Sequence, residues 1–389
     1  MRIAGLPGLR AFAIVGAAGA ALVLTGCGTG GAPNNSAVTV SGSTLAIYAS
    51  QPPGTVDSVS ADVLDAERLA FKQSGAKAGH FALRLHVVHG DEVSADARQA
   101  VSDNTAIAYL GEIPPGTSGV SVQITNELGL LEVSPTDTSV FLTRATPAVK
   151  GSPQHFFPSH VNFNETFGRV VPTTAAEAKA LVTRMKHQGV KTLTVADDGT
   201  DYGASVAQEV CTDASGAGLT VSASASGADA MFYGGLPDKT ATGMLDSVIN
   251  GSPKVKLYAS SALYDDQFVS GLSSAAQGAL TVSAPGFMTG SLDAAGQSFV
   301  QAFKRTYGHA PAPQAIFGYE AMKAVVATLV KAGTHAASRS TVVGDFRDLT
   351  RSAADSALGA YTLNGGDTNI APFIFAGVSG GKLIPRAQG

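Results

Sequence analysis

Tryptophan is absent, cysteine occurs only twice, and charged residues make up just 14% of the 389 residues. Two cysteines are too few for a disulfide scaffold or a four-thiolate zinc site. Low charge does not signal disorder here, because disorder needs low hydrophobicity as well and the hydrophobic fraction is 44%. The net charge of -4 provides no basic surface for a phosphate backbone, which excludes nucleic acid as an expected partner. Also missing are a G-x-S-x-G elbow, a P-loop and an H-E-x-x-H motif. His86 and His89 lie on or beside a strand at odd spacing and so point to opposite faces, a poor geometry for a metal. No metal, cofactor or covalent chemistry is expected.

The longest apolar run is also short. Arg2 and Arg10 precede a stretch from Ala11 to Leu24 that is too brief to span a bilayer comfortably and reads as the core of a signal peptide. It ends in Leu24-Thr25-Gly26-Cys27, which resembles the bacterial lipoprotein box. That resemblance implies a signal peptide over residues 1–26 and an acylated Cys27 as the mature N-terminus, anchored to the cell membrane on its outer side. Removing the leader removes two arginines and no acids, so the mature balance is -6 and lipid, not basic charge, would hold the membrane. Small polar residues follow, and residues 27–43 read as a flexible lipid-anchored linker. Cys211 lies in a helical stretch and reads as a packed thiol.

From Thr44 onward, short apolar runs alternate with helical stretches, the pattern of a parallel sheet covered by helices. Strands are predicted at 45–49, 83–88, 106–110 and 130–133, with helices at 61–73, 95–103 and 119–128. A second series follows, with helices at 174–187, 204–214 and 240–249 and strands at 192–196, 219–222, 230–233, 255–259 and 280–283. Phe299, Val300, Phe303 and Tyr307 share one helical face, and Met322, Val325, Val326 and Leu329 share another. The tail from Leu358 reads as short strands with glycine turns. The expected fold is therefore α/β, with two doubly wound parallel-sheet lobes joined by a multi-strand hinge. Residues 44–158 with 285–350 would form the first lobe, and 159–284 with 358–389 the second. Open parallel sheets bind ligands at the carboxyl ends of their strands, and two such edges face to face make a cleft.

Ordered motifs carry a resemblance to a known family. They are the glycine-bounded segment 111–119 before a helix, Leu130-Leu131-Glu132-Val133-Ser134-Pro135-Thr136-Asp137-Thr138, Asp197-Asp198-Gly199-Thr200-Asp201-Tyr202-Gly203, and Asp229-Ala230-Met231-Phe232-Tyr233-Gly234-Gly235. In this order and spacing the chain resembles the type I periplasmic binding proteins, specifically the leucine/isoleucine/valine-binding class that serves ABC transporters. The resemblance implies a substrate-binding protein, not an enzyme, whose partners are a small-molecule ligand and a transporter permease. It also implies ligand contacts from Ser118, Thr136 and Thr138 on one wall, with Tyr202, on the other, covering the ligand as a partly wet side chain. Where the family places an acid that pairs with the ligand's ammonium, this chain has Ser261. Asp137, Asp201 and Asp265 are the candidates to replace that acid, unless the ligand has no ammonium. The expected solute is small and polar: an amino acid, or an amino-acid-like or carboxylate compound.

Two other functions fit parts of the sequence. A ligand-sensing lipoprotein that regulates a partner would share every feature above. A serine hydrolase is suggested only by fragments, Ser74-Gly75-Ala76-Lys77 and Ser102-Asp103-Asn104. Its third element fails, because Lys239-Thr240-Ala241 lacks the necessary glycine, and Ser74 falls near the end of its helix where an activated serine should open one.

Overall fold

The structure, a computed structural model, describes residues 38–54 and 56–389. The leader, Cys27 and most of the linker lie outside the described residues. The last part of that linker does not match the flexible segment its composition suggests. Val38 and Val40 alternate with polar neighbours, and the backbone N–H of Val40 donates to Ala337 O at 2.8 Å. Val40 is buried in the first lobe's core and Thr39 bridges to Ser338, so the chain is docked from Val38 onward.

The first sheet runs Lys77–Ala78, Phe81–Val88, Thr44–Ser50, Ala106–Leu110, Leu131–Ser134, Phe167–Arg169. All its pairings are parallel except the short outer hairpin. The second runs Lys382–Gln388, Phe373–Ser379, Leu280–Pro285, Lys256–Ala259, Ala230–Gly234, Thr192–Asp197, Thr220–Ser222, with its last two chain segments antiparallel. Two α/β lobes are the result, the second closed by a β-hairpin that parallel order alone would not give.

Phe167–Arg169 falls within the range expected for the second lobe yet pairs with Leu131–Ser134 in the first sheet. Three residues give too little alternation to place a strand from sequence. Tyr361 and Leu363, in the tail expected to belong to the second lobe, are likewise buried in the first lobe's core. The chain thus passes from the first sheet to the second after Arg169, returns after Pro285, and crosses again between Thr368 and Phe373.

Helices Ala294–Tyr307, Ala315–Ala332 and Arg339–Arg347 return to cover the first sheet. Phe299 and Phe303 are buried as their stripe requires, each burial stabilising by about 1.5–3 kcal/mol, and Met322, Val325 and Leu329 are buried with them. Helix Ala315–Ala332 lies directly on Ser58–Gln73. A Cβ at Gly318 would come within 2.4 Å of the Val63 carbonyl oxygen, so only glycine permits this approach. The pairing aligns the starts of both helices, and with them Asp57 and Gln314, at one edge of the first lobe. Among the described residues, no helix is long and apolar enough to cross a membrane.

Candidate functional site

The carboxyl ends of both sheets' central strands open onto one cavity of about 250 Å³. From the first lobe come Pro52, Pro53, Asp57, Val59, Ser60, Ile113, Pro114, Pro115, Thr136 and Gln314. The second lobe contributes Leu236, Pro237, Ser261, Ala262, Tyr264 and Asp265, with Pro285 at the crossover. None of these described lining residues is Lys, Arg or His. A larger cavity of about 340 Å³ shares Val59 and Tyr264 but is walled by the crossover residues Phe287, Met288 and Leu292, by helix residues and by Leu383 and Pro385 of the edge strand, away from the carboxyl ends of the central strands.

Three first-lobe loops meet at the near wall and are tied to one another. Ser118 Oγ accepts from Glu112 N–H at 3.0 Å, while Ser134 Oγ donates to Glu112 O at 2.7 Å. The Thr136 hydroxyl donates to Ile113 O. The Glu112 carboxylate accepts from Tyr109 OH at 2.6 Å and from Ser50 Oγ at 2.9 Å, joining the loop after the first strand to the other two. Burial raises its pKa to about 7 against those hydrogen bonds, with the charge of Asp96 adding to the rise.

Asp137 sits beneath this wall. Its Oδ1 accepts from Gly116 N–H at 2.9 Å and from the N–H and hydroxyl of Ser139, and its Oδ2 accepts from Ser118 N–H at 3.0 Å. It is fully buried, and the Arg169 guanidinium, 3.0 Å from its carbonyl oxygen, closes the cradle from below. An ammonium partner would need a carboxylate free to face the cavity, and every oxygen here is already committed to the chain's own donors. Asp201 opens helix Asp201–Gly216, is exposed and does not line the cavity. Of the three acids singled out from sequence, only Asp265 reaches the wall.

The far wall rests on an acid the sequence pattern hides. Glu177 is fully buried and accepts from Ser261 N–H at 2.6 Å, Ser261 Oγ at 3.0 Å and Ser283 Oγ at 2.6 Å. Burial pushes its carboxyl pKa up against these bonds. Thr174-Ala175-Ala176-Glu177 reads locally as a capping box, which gives the acid an ordinary role. The actual N-cap is Thr173, which accepts from Ala176 N–H, and Glu177 turns into the lobe to hold the loop carrying Ser261. Asp198 similarly builds the 198–200 turn and accepts from Leu236 N–H at 2.8 Å.

The structure brings Thr136 and Ser261 to the cavity and leaves Ser118, Thr138 and Tyr202 behind its surface. The Tyr202 hydroxyl lies 3.2 Å from Ser261 Oγ. Burial and then the Glu177 charge push its pKa up, while the hydroxyls of Ser261, Ser260 and Thr138 oppose the rise. Thr138 Oγ1 is buried without a bond of good geometry. Gly116, with φ at +84°, packs straight onto Tyr202: a Cβ there would meet the tyrosine Cβ at 2.8 Å. Tyr202 is only 2% exposed and belongs to a hydrophobic cluster drawn from both lobes, contrary to the partly wet cleft position its sequence context implies. Tyr202→Ala is therefore expected to cost about 3–5 kcal/mol of unliganded stability. Equilibrium unfolding would show this, and a loss below 1 kcal/mol would contradict the packing.

Among the described residues no cluster of three or more His, Cys, Asp or Glu could hold a metal ion. Ser74 ends helix Ser58–Gln73 and its hydroxyl donates to Phe71 O, while Lys239 begins a helix of the second lobe. The hydrolase-like fragments are thus not assembled into a site. Burial, then the Asp197 charge, raises the Cys211 pKa, which keeps it a thiol.

Two α/β lobes, three crossovers and a cavity at facing strand ends define the type I periplasmic binding protein fold. Solved structures similar to it include ABC-transporter substrate-binding proteins. A leucine-binding protein from Thermotoga maritima superposes with a TM-score of 0.71 at 16% identity, covering 89% of this chain and 98% of that one. A substrate-binding protein from Desulfitobacterium hafniense in complex with leucine gives 0.69 at 19%, covering 88% and 100%. A solute-binding protein from Rhodopseudomonas palustris in complex with benzoate gives 0.65 at 16%, covering 90% and 96%. No protein-family model matches the sequence, and no curated protein matches it.

Proposed function

We propose that this chain is the extracytoplasmic solute-binding component of an ABC importer, tethered through lipid on Cys27, which captures a small solute by closing its lobes on it. The observation that carries the reading is the cavity at the carboxyl edges of both sheets, with walls drawn from both lobes. A solute touching both walls favours the closed arrangement by its differential affinity for that state, which is all that capture requires. The neighbours' ligands, leucine and benzoate, set the scale of solute. The transport partner is a permease that accepts the closed form.

A thermal-shift screen of amines, amino acids, carboxylates and amides tests the reading, since a ligand that binds only the folded state raises its stability. At least one compound is expected to raise the midpoint in a concentration-dependent way, and no response from any class would count against solute binding. Cys27→Ala is expected to shift the protein from the membrane fraction to the soluble one or to leave it as precursor. Unchanged membrane retention with normal processing would remove the lipid anchor from the proposal.

A further inference from the structure

Resting on the solute-binding reading, we propose that the cavity selects a small organic cation, an amine with a compact apolar body and no carboxylate, held between Asp57 and Asp265 and the side-chain amide oxygen of Gln314. Asp57 caps the first helix of one lobe, its Oδ1 accepting from Val59 and Ser60 N–H and its Oδ2 from Ser60 Oγ at 2.6 Å. Asp265 caps a short helix of the other, its Oδ1 accepting from Gln267 N–H. Unlike the buried Asp137, both carboxylates stay partly exposed and keep room to accept from a solute. Both line the cavity, one from each lobe, without a Lys, Arg or His in its wall. Desolvation, then the charges of Asp57 and Asp266, raise the Asp265 carboxyl pKa, so Asp265 feels the charge of Asp57. A cation between them would relieve that repulsion and link the lobes.

An independent observation points the same way. Gln314 is 5% exposed, lines the cavity, and its Oε1 is buried without a hydrogen-bond partner. A buried acceptor left unmade is costly, and an ammonium N–H is the donor it lacks. Most of the rest of the wall is apolar, six prolines among it with Val59, Ile113, Leu236, Ala262 and Tyr264, beside the hydroxyls of Ser60, Thr136 and Ser261. It suits a compact apolar body, and a bare metal ion would leave it unfilled.

A carboxylate, by contrast, has nowhere to go. The N–H groups of Gly116 and Ser118, at the start of helix Ser118–Glu127, are the natural anion donors, and Asp137 already occupies both. A solute carboxylate would face two aspartates with no compensating cation.

Calorimetric titration with 3-methylbutylamine and benzylamine, against leucine and benzoate, compares the same apolar bodies with and without the carboxylate. The amines are expected to bind at least tenfold more tightly. Asp57→Asn and Asp265→Asn keep helix-capping oxygens, so both variants should fold, and each is expected to weaken the amines at least tenfold. Tighter binding of leucine or benzoate would overturn the cation assignment while leaving solute binding intact. Amine affinity indifferent to both substitutions would overturn the placement. Failure of both amines to bind would also overturn it, and the wider thermal-shift screen then decides whether the solute-binding reading falls too.

Discussion

Arg169→Met is expected to lower stability by about 3–5 kcal/mol, the usual cost of leaving a buried charge without its partner. Arg169 is fully buried, with its Nε 3.0 Å from Asp367 Oδ1. Its Nη1 and Nη2 donate to Asp137 O and Thr143 Oγ1, each at 3.0 Å. It therefore joins the strand that leaves the first sheet, the loop beneath the cavity wall and the segment before the last crossover. Removing it leaves Asp367 to Thr143 and to Arg144, whose side chain is 61% exposed and too well solvated to replace it. Arg169→Met with Asp367→Leu is expected to cost less than Arg169→Met alone, because the double change removes the orphaned charge as well. Denaturant unfolding of the three variants tests this. A single-variant loss below 1 kcal/mol, or a double variant worse than the single, would show that the ion pair does not hold this junction.

Stability is also expected to fall as pH rises from about 4.5 to about 7, and Glu112→Gln should remove a large part of that fall. The groups around Glu112 are acids and hydroxyls: the charge of Asp96 raises its pKa, its own charge raises those of Glu67 and Glu132, and Tyr109 and Ser50 donate to it. No base contributes to the Glu112 shift itself; Arg68 and His89 act on Glu67 and Asp96. Its folded pKa of about 7 lies above the ordinary 4.5 of a glutamate, so the folded state holds the proton more tightly. The associated stability is fully present below about 4.5 and is lost as pH rises through about 7. For a shift of this size the contribution is on the order of 3 kcal/mol. Across that window the stability of wild type minus that of Glu112→Gln should fall by on the order of 3 kcal/mol as pH rises. Parallel curves would mean that Glu112 does not titrate there.

Much of the fold was legible because glycine turns and clean periodicity fixed the elements. Helix Thr174–His187 and strand Ala106–Leu110 fall where their patterns place them. Elements too short or too ordinary in composition were not legible. Three residues, Phe167–Arg169, carry no readable period, and Val38 and Val40 dock a segment whose glycines and serines suggest a tether.

The site was less legible, for a physical reason. A sequence motif states which residue types stand near a strand end, not whether their polar atoms are already used. Asp137 was visible as an acid beside the cavity, but its four internal donors come from positions 116, 118 and 139 and appear only in three dimensions. Glu177 was masked by a capping pattern that it does not form. Asp57 and Gln314 precede ordinary helices, and only the packing of those helices brings them to one edge.

A crystal structure with the solute that gives the largest thermal shift tests most directly whether the facing strand ends capture a ligand. The solute is expected in the 250 Å³ cavity, touching Asp57 or Thr136 from the first lobe and Ser261 or Asp265 from the second. A solute on one lobe alone would contradict capture between the lobes, and one bound in the cavity beside Phe287 and Met288 would contradict capture at the strand ends.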